Sequence, residues 1–258
     1  MSKTKKKKTF NFKNGTTITL INGDFFEEMK STELTIDACI TDFPYGTLNK
    51  RNTWDKVWDY PKFWELFHKI RKDKTTPLIS TSAQPFTSIL ISSNYDEFKY
   101  TMVWEKSKAT GYLNAKKQPM RAHEDIVVFY DKQCCYNPQM VQDKPYDKGT
   151  AVRDALPYGK QTKAVHVKNS TGLRYPRSVQ YFVTAESEGK LHPTQKPIAL
   201  YKWLIKTYTN EKDLVLDPCF GSGTTAVACI KTKRNFIGFE KDETFFNKAC
   251  DRIKELVD

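Results

Sequence analysis

The sequence predicts an α/β protein with a mostly parallel, twisted sheet that is covered by helices on both faces. Short apolar and β-branched runs alternate with helical patterns of roughly 8 to 15 residues, the order that parallel strands need for their crossover connections. Two of the runs, at residues 36–41 and 214–216, end in clusters of polar residues, proline and glycine. The length of 258 residues suits one large domain, or one domain with a small lobe.

Each element has its own local signal. Residues 16–21 alternate β-branched side chains as strands do, and Asn22-Gly23-Asp24 ends that run with turn residues. A proline at the start and one apolar face predict the helix that begins at Pro61. In chain order, the predicted strands are 16–21, 36–41, 77–82, 100–104, 126–130, 214–216 and 236–239, and the predicted helices are 25–29, 61–71, 85–92, 198–208, 224–231 and 242–256.

The middle of the chain interrupts this alternation. Between residues 131 and 188 the apolar runs give way to Pro, Gly, Asn, Lys and Tyr, over a stretch too long for an ordinary connection in a compact domain. We therefore expect a recognition lobe at 131–188, inserted into a main domain formed by residues 10–130 and 189–258. Residues 1–9 are expected to be a basic tail.

Positive charge is concentrated in two places. The net charge is +12, the first eight residues contain five lysines and no acid, and residues 99–177 contain fifteen Lys and Arg against seven Asp and Glu. A basic segment of this kind suits a polyanion such as nucleic acid, because phosphate neutralisation releases counterions. The lysines at the start also fit a disordered, solubilising end.

Several classes of protein are disfavoured by composition. No run of about 18 apolar residues exists, and the first residues lack the apolar core of a signal peptide, so we expect a cytoplasmic protein without a membrane span. The six cysteines show no CxxC spacing and no nearby pair of histidines. We therefore predict no metal site and no disulfide framework.

A glycine turn follows the strand predicted at 214–216. Phe220-Gly221-Ser222-Gly223-Thr224 lies where α/β proteins bring backbone close to a cofactor, and Glu240 ends the next strand, where an acid can bind a ribose diol. Residue 226 is alanine where a third glycine is usual, and no P-loop is present. The turn and Glu240 together predict a nucleoside cofactor, with a tight connection and a helix-terminal acid as the simpler alternatives.

A second cluster follows the strand at 36–41. The carboxylate of Asp42 and the carbonyl of Phe43 can accept both hydrogens of an exocyclic amine, Pro44 restricts the backbone, and the Tyr45 ring can stack on a base. Two fixed acceptors would favour the pyramidal nitrogen of a reacting amine over the planar one. An ordinary turn is the alternative, since Asp, Pro, Tyr and Gly are common in turns.

Three motifs together resemble the signature of S-adenosylmethionine-dependent DNA amino-methyltransferases. They are residues 41–45 (Thr-Asp-Phe-Pro-Tyr), 192–197 (His-Pro-Thr-Gln-Lys-Pro) and 217–225 (Asp-Pro-Cys-Phe-Gly-Ser-Gly-Thr-Thr). Their order, with the clamp before the cofactor loop, resembles the β group of that family over nearly the whole chain. The resemblance implies a Rossmann-like methyltransferase fold with circularly permuted motifs, and S-adenosylmethionine as cofactor.

The resemblance also implies a role for each matching residue. The amine clamp corresponds to Asp42, Phe43, Pro44 and Tyr45. The implied cofactor-binding residues are Asp24, Asp42, Thr194, Gln195, Lys196, Asp217, Phe220, Gly221, Ser222, Gly223, Thr224 and Glu240. The expected DNA contacts are Lys116, Lys117, Arg121, His123, Arg174 and Arg177, and residues 131–188 fall where the family has its target-recognition region.

The sequence departs from the family pattern at Phe43, where proline is usual. The acceptor there is a backbone carbonyl, which any residue supplies, and Pro44 still favours extended geometry at residue 43. A clamp led by aspartate resembles the adenine-modifying members. We therefore predict methylation of the adenine N6 amine in double-stranded DNA, with an N4-cytosine enzyme or a catalytically weak DNA-binding relative as alternatives.

Other reactions are less consistent with the sequence. A carbon-5 cytosine methyltransferase would need a cysteine nucleophile after proline, and Cys219 satisfies that pattern only within the cofactor loop. Enzymes that methylate protein glutamine or RNA amines would not need the long basic segment at 99–177. Double-stranded DNA is the expected partner, while a homodimer and a cognate restriction enzyme are left open.

Overall fold

The computed structural model describes residues 6–30, 33–47, 55–151, 154–155, 159–160, 164–189 and 195–257. The helices are α1 (Phe25–Glu28), α2 (Tyr60–Ile70), α3 (Phe86–Ser93), α4 (Ile198–Tyr208), α5 (Thr224–Thr232) and α6 (Glu243–Lys254). Across the described ranges, we find no helix with the length and apolarity that a membrane crossing requires.

Fifteen strands are present in the described residues. They are β1 (Lys6–Asn11), β2 (Thr17–Asn22), β3 (Ala38–Thr41), β4 (Leu78–Ser82), β5 (Phe98–Thr110), β6 (Arg121–Phe129), β7 (Val141–Gln142), β8 (Tyr146–Ala151), β9 (Asp154–Ala155), β10 (Gly159–Lys160), β11 (Val165–Asn169), β12 (Leu173–Arg174), β13 (Val179–Phe182), β14 (Leu214–Asp217) and β15 (Asn235–Glu240).

Nine of these strands form one sheet in the order β1-β2-β15-β14-β3-β4-β6-β5-β13. The five neighbours from β2 to β4 are all parallel, whereas β1 and β6 pair antiparallel with β2 and β4. The predicted α/β class with a mostly parallel sheet is therefore confirmed. The carboxyl ends of the five parallel strands lie at one edge, where such sheets bind ligands.

Both faces of the sheet are covered. In β3 the buried Ala38 and Ile40 pack in one apolar cluster, with residues of α4, α5 and α6, while Cys39 between them packs in the other, with residues of α1, α2 and α3. This alternation follows from the two-residue period of a strand. Burial on both faces explains why the central strands are continuous apolar runs in the sequence.

The two central strands come from distant parts of the chain. Strand β3 pairs in parallel with β14, with Cys39 opposite Leu216. The segment after residue 41 and the glycine turn after residue 217 therefore leave the sheet side by side. The permuted motif order of the sequence thus gives adjacent loops in the fold.

The hairpin of β5 and β6 is longer than predicted. Its strands extend over Phe98–Thr110 and Arg121–Phe129, whereas only residues 100–104 and 126–130 were expected. The outer half of each strand is polar and largely exposed, so it lacks the apolar alternation that indicates a strand.

Two further strands of the nine-stranded sheet lie where none was predicted. Residues 6–11, expected within or next to a basic tail, form β1 at the edge of the sheet, with Phe10 packed against the core. Lysines are common on edge strands because they oppose unwanted pairing, so composition alone suggested a tail. Residues 179–182, expected in the inserted lobe, form β13 beside β5.

The chain divides into two compact units, residues 1–137 with 178–258, and residues 138–177. The second unit contains three antiparallel two-stranded ribbons, β7 with β12, β8 with β11 and β9 with β10. Its boundaries fall inside the lobe expected at 131–188. A role of this unit in target recognition stays a prediction.

Candidate active site

A cavity of about 750 Å³ opens at the carboxyl edge of the parallel strands. It brings together most of the residues that the sequence singled out. The predicted residues that line it are Asp24, Asp42, Phe43, Pro44, Tyr45, Arg121, His123, Gln195, Lys196, Asp217, Phe220, Gly221, Ser222, Thr224 and Glu240. A volume of this size accommodates a nucleoside-sized ligand together with a second planar group.

Asp42 lies directly after β3 and is held by three neighbours. Its Oδ1 accepts hydrogen bonds from Thr81 Oγ1 at 2.6 Å and Tyr45 Oη at 2.7 Å. Its Oδ2 lies 2.9 Å from Lys196 Nζ. Burial raises the pKa of Asp42, and the charge of Lys196 partly opposes this shift. The carboxylate is thus fixed in direction and faces the cavity.

Lys196 connects Asp42 to a second acid. Its side chain is 8% exposed, and its ammonium lies 3.1 Å from Glu124 Oε2, while Lys106 Nζ lies 3.4 Å from Glu124 Oε1. Burial alone would lower the pKa of Lys196, but Asp42 and Glu124 reverse this and raise it. Burial likewise acts to raise the pKa of Glu124, and the two lysines outweigh it, so that this pKa is lowered. The charges of this network compensate one another.

The Phe43 side chain packs in the protein core. It is 1% exposed and makes edge-to-face contacts with Trp58, Tyr60 and Phe63, at centroid distances of 5.3, 5.7 and 5.0 Å. The additional ring at this position is therefore accommodated in the core. The backbone carbonyl of residue 43 is present with any side chain at this position.

Tyr45 has its ring stacked on Phe86, with centroids 4.9 Å apart and an interplanar angle of 17°. The ammonium of Lys196 lies 5.3 Å from the Tyr45 ring centroid and 3.4 Å from its hydroxyl. The ring is therefore supported by an aromatic neighbour, and a cation already occupies space over it. Stacking of a base on Tyr45 stays a prediction.

Asp217 ends β14 and is buried. Its two oxygens accept hydrogen bonds from Thr41 Oγ1 at 2.7 Å and Thr225 Oγ1 at 2.5 Å, and Oδ1 also accepts one from the Cys219 backbone N–H at 3.2 Å. Burial raises the pKa of Asp217 to about 6, against these hydrogen bonds. With its oxygens engaged, Asp217 organises the loop and its junction with β3.

The turn after β14 needs its glycines. Gly221 and Gly223 have φ angles of +53° and +78°, in the left-handed region that side chains disfavour. A Cβ on Gly223 would also lie 3.1 Å from the Cβ of Ala249 in α6. Gly223 is the N-cap of α5. It therefore shapes the turn, while Gly221 and Ser222 line the cavity.

Glu240 ends β15 beside this turn. Its Oε2 accepts a hydrogen bond from the Gly221 N–H at 2.9 Å, and its Oε1 accepts one from the Asp242 N–H at 2.7 Å. Burial raises the pKa of Glu240 to about 7 in spite of these bonds. The carboxylate thus joins the glycine turn to the start of α6.

Asp24 follows β2 at the same edge. One oxygen caps α1 by accepting a hydrogen bond from the Phe26 N–H at 3.0 Å, and the other lies 3.0 Å from Lys241 Nζ. The aromatic residues Phe25, Phe26 and Trp58 line the cavity with it. Its surroundings therefore combine apolar rings with one acid.

Cys219 has the environment of a structural thiol. Its Sγ lies 3.4 Å from Thr41 Oγ1 and 3.5 Å from the Asp42 carbonyl. Burial and the charge of Asp217 raise its pKa well above the ordinary value. Because the thiolate is the nucleophilic form, this environment disfavours carbon-5 chemistry.

Some predicted residues lie elsewhere. Lys116 and Lys117 are exposed between β5 and β6 and do not line the cavity, and Thr194 lies outside the described residues. Arg174 belongs to the second unit, where its guanidinium lies 4.5 Å from the Tyr146 ring centroid. Arg177 is the last residue of that unit. A DNA-binding role for the two arginines stays a prediction.

Sequence reasoning missed some residues that the site uses. Thr81 binds Asp42, Lys106 pairs with Glu124, and the hydroxyl of Tyr201 lies 3.2 Å from Thr81 Oγ1. Thr81 could have been found, since it lies one residue before the end of a predicted parallel strand beside β3. Lys106 and Tyr201 carried no local signal. In the part of the chain that the structure describes, no three His, Cys, Asp or Glu side chains are grouped as metal ligands.

A family model described as DNA methylase, for N6 and N4 methyltransferases, matches residues 36–251. Among curated proteins, the type II methyltransferase M.HindIII of Haemophilus influenzae is 30% identical over 179 residues, which cover 60% of this chain and 55% of M.HindIII. The DNA adenine methyltransferase YhdJ of Escherichia coli is 28% identical over 255 residues, which cover 91% of this chain and 82% of YhdJ. The chain thus spans about half the length of one relative and most of the other.

Solved structures share the fold. The M1.HpyAVI–SAM complex superposes with a TM-score of 0.63 at 23% identity, covering 92% of this chain and 98% of that one. The cytosine-N4-specific PvuII DNA methyltransferase gives a TM-score of 0.64 at 16% identity, covering 91% of this chain and 86% of the PvuII enzyme. At these identities the likeness concerns the fold alone.

Proposed function

Because this chain belongs to the DNA methylase family whose model spans residues 36–251, we propose that it transfers a methyl group from S-adenosylmethionine to the N6 amine of an adenine in double-stranded DNA. A base inside a duplex cannot reach the cavity, so the adenine must leave the base stack. The family fixes the type of reaction, and the site geometry supports the assignment of residues.

One observation carries this proposal. A donor nitrogen, the ammonium of Lys196, lies 2.9 Å from Asp42 Oδ2 and 5.3 Å from the Tyr45 ring centroid. This is the combination of contacts that an exocyclic amine on a stacked base would make. When a base enters, Lys196 can keep its contact with Glu124 at 3.1 Å and yield Asp42 to the substrate.

In this reaction the residues around Asp42 hold the amine and accept one proton. Asp42 and the Phe43 carbonyl accept the two amine hydrogens, which localises the nitrogen lone pair toward the incoming methyl carbon. As the nitrogen becomes positively charged, one N–H proton passes to an acceptor, for which Asp42 is positioned. Thr81 and Tyr45 keep the carboxylate oriented throughout.

S-adenosylmethionine would supply an electrophilic methyl group on a sulfonium, whose S–CH3 bond would break as the N–C bond forms and leave a neutral thioether. The residues of the other half of the cavity fit its polar and planar parts. Glu240 suits the ribose hydroxyls, Asp24 with Phe26 and Trp58 suits the adenine, and the turn at Gly221 offers close backbone approach. The relative M1.HpyAVI was solved with SAM, which supports the same choice.

Adenine is favoured over cytosine for two reasons. The clamp begins with aspartate, as in the adenine-modifying members that the sequence resembles, and YhdJ is described as an adenine methyltransferase. N4-cytosine methylation is the second candidate, supported by the shared fold of the PvuII enzyme. A homodimer and a restriction partner are further proposals, the latter suggested by the type II description of M.HindIII.

The decisive experiment is to express the protein in a host without DNA methylation and to analyse the DNA. Nucleoside mass spectrometry would identify the modified base, and long-read sequencing would map the target site. We expect N6-methyladenine in one short sequence, and far less of it with an Asp42→Ala variant expressed at the same level. N4-methylcytosine would select the second candidate, and unmodified DNA would contradict both.

A further inference from the structure

The tip of the β5–β6 hairpin exposes two large apolar side chains. Leu113 is 93% exposed, the highest value among large apolar residues in the described part of the chain, and its neighbour Tyr112 is 77% exposed. Exposed apolar groups at an ordered tip are a feature of interaction surfaces.

The tip has a defined structure of its own. Gly111 has a φ of +90°, and a single 3₁₀ turn follows over Tyr112–Asn114. Backbone hydrogen bonds run from the Asn114 N–H to the Gly111 carbonyl at 2.9 Å and from the Lys117 N–H to the Asn114 carbonyl at 2.8 Å. The turn therefore gives the backbone that carries Leu113 a defined conformation.

The surroundings of the tip are basic. Residues 106–123 contain five Lys and Arg and no Asp or Glu. Lys116 and Lys117 follow Leu113 on the same turn and are both exposed. Two of these residues, Lys106 and Lys108, already pair with acids from outside the stretch. The exposed lysines beside the apolar tip suit a polyanion better than a typical protein surface, because phosphates can pair with them.

The same hairpin borders the reaction site. Thr110 and Arg121, which pair at the outer ends of its two strands, line the cavity that contains Asp42, together with His123. The surface around Leu113 is therefore continuous with the rim through which a base would enter. Both belong to the same compact unit.

We propose that Leu113 enters the DNA base stack at the position that the extruded base leaves, while Lys116 and Lys117 contact the flanking phosphates. The inference rests on the proposed function, since it needs a base outside the duplex. Extrusion costs stacking and pairing energy, and an apolar side chain in the gap restores part of the lost contact. Leu113 would thus act as a positioning residue for the flipped state.

The test compares two DNA duplexes that contain the mapped target site. One is fully paired, and in the other the target base lies opposite an abasic site, which makes extrusion easy. Single-turnover methylation is measured for the wild type and Leu113→Ala. We expect the variant to be about tenfold slower on the paired duplex and within about twofold of wild type on the abasic one.

Three controls separate this role from others. Tyr95→Ala removes a side chain that is 74% exposed and lies outside the cavity lining, and it should leave both rates unchanged. Lys116→Ala with Lys117→Ala should weaken binding of both duplexes alike, with a salt slope shallower by about 2. Thermal unfolding of Leu113→Ala should match the wild type, because the side chain is in solvent.

Two outcomes would contradict the insertion of Leu113 into the base stack while leaving methyl transfer intact. They are equal rates for Leu113→Ala and wild type, and equal slowing of the variant on both duplexes. A defect seen only with Tyr112→Ala would overturn the assignment to Leu113. If the wild type methylated neither duplex, the proposed function would fail and the inference with it. A partner protein that binds the tip and is released by Leu113→Ala, without any effect on DNA, would likewise contradict it.

Discussion

Asp42 is the residue on which methyl transfer should depend most. We expect Asp42→Ala to reduce the rate by on the order of 100-fold or more, because it removes a fixed acceptor of the reacting amine. Cofactor affinity should change little, since the Gly221 turn and Glu240 are unaffected. Lys196 keeps Glu124 as its partner, so no buried cation is left unpaired.

This division of roles is measured by transfer of labelled methyl groups to DNA and by calorimetry with S-adenosylmethionine. Asp96→Ala, which removes an exposed acid, is the matched control. A parallel loss of affinity and rate in Asp42→Ala would argue that the carboxylate acts mainly on the cofactor.

The Phe43 side chain contributes to folding, whereas the acceptor proposed for the amine is the backbone carbonyl of this residue. Phe43→Pro should lower the free energy of unfolding by about 3 kcal/mol or more, since a buried ring is deleted from contacts with Trp58, Tyr60 and Phe63. Turnover per folded molecule should not rise. Phe43→Leu, which keeps most of the volume, serves as the milder comparison in urea unfolding and methylation assays. A more active Phe43→Pro enzyme would instead favour a catalytically weak wild type.

At the scale of elements, the carboxyl ends of β14 and β15 bring two acids into a buried edge. The pKa of Asp217 is raised to about 6 and that of Glu240 to about 7, in both cases by burial. Between roughly pH 4.5 and 7 the folded state therefore binds more protons than the unfolded chain. The contribution of these two acids to stability should therefore be largest near the lower limit and fall as the pH rises through this window.

Glu240→Gln tests this dependence. The unfolding free energy of the wild type should fall between pH 5 and 7.5. In the variant this fall should be smaller by on the order of 1–3 kcal/mol, because the titrating group is gone. Urea unfolding without cofactor measures it, and Glu65→Gln, at an exposed acid, should keep the wild-type dependence. The same pH slope in Glu240→Gln and wild type would mean that Glu240 titrates as an ordinary acid.

At the scale of the whole molecule, the second unit can be tested separately from the first. Its flanking residues are tied to the main sheet unit, with the Asn137 N–H bonded to the Thr207 carbonyl at 2.7 Å and the Val103 N–H to the Ser178 carbonyl at 2.8 Å. Replacing residues 138–177 by a short flexible linker should therefore leave cofactor affinity within a few fold. Site-specific methylation should be lost.

Calorimetry and methylation mapping of the shortened chain would check both outcomes. Retained methylation at the original target would remove residues 138–177 from sequence recognition. A chain that no longer folds or binds cofactor would mean that the two units depend on each other for stability.

Much of the fold was predictable because its signals are local. The boundaries predicted for the helix at 198–208 agree with α4, and the apolar runs at 36–41 and 214–216 predicted the central strands. Strand β1 and the outer hairpin were not predicted, because lysine-rich edges and exposed polar strands lack a hydrophobic period.

The sequence by itself determined the α/β class and predicted a cofactor turn and an amine clamp, because each rests on neighbouring residues whose spacing dictates backbone geometry. Only the tertiary structure decided that Lys196 joins Asp42 to Glu124, that the Phe43 ring packs in the core, and that Leu113 projects from the hairpin. These features depend on which distant strands become neighbours and on which side chains burial leaves in solvent, and the linear spacing of residues specifies neither.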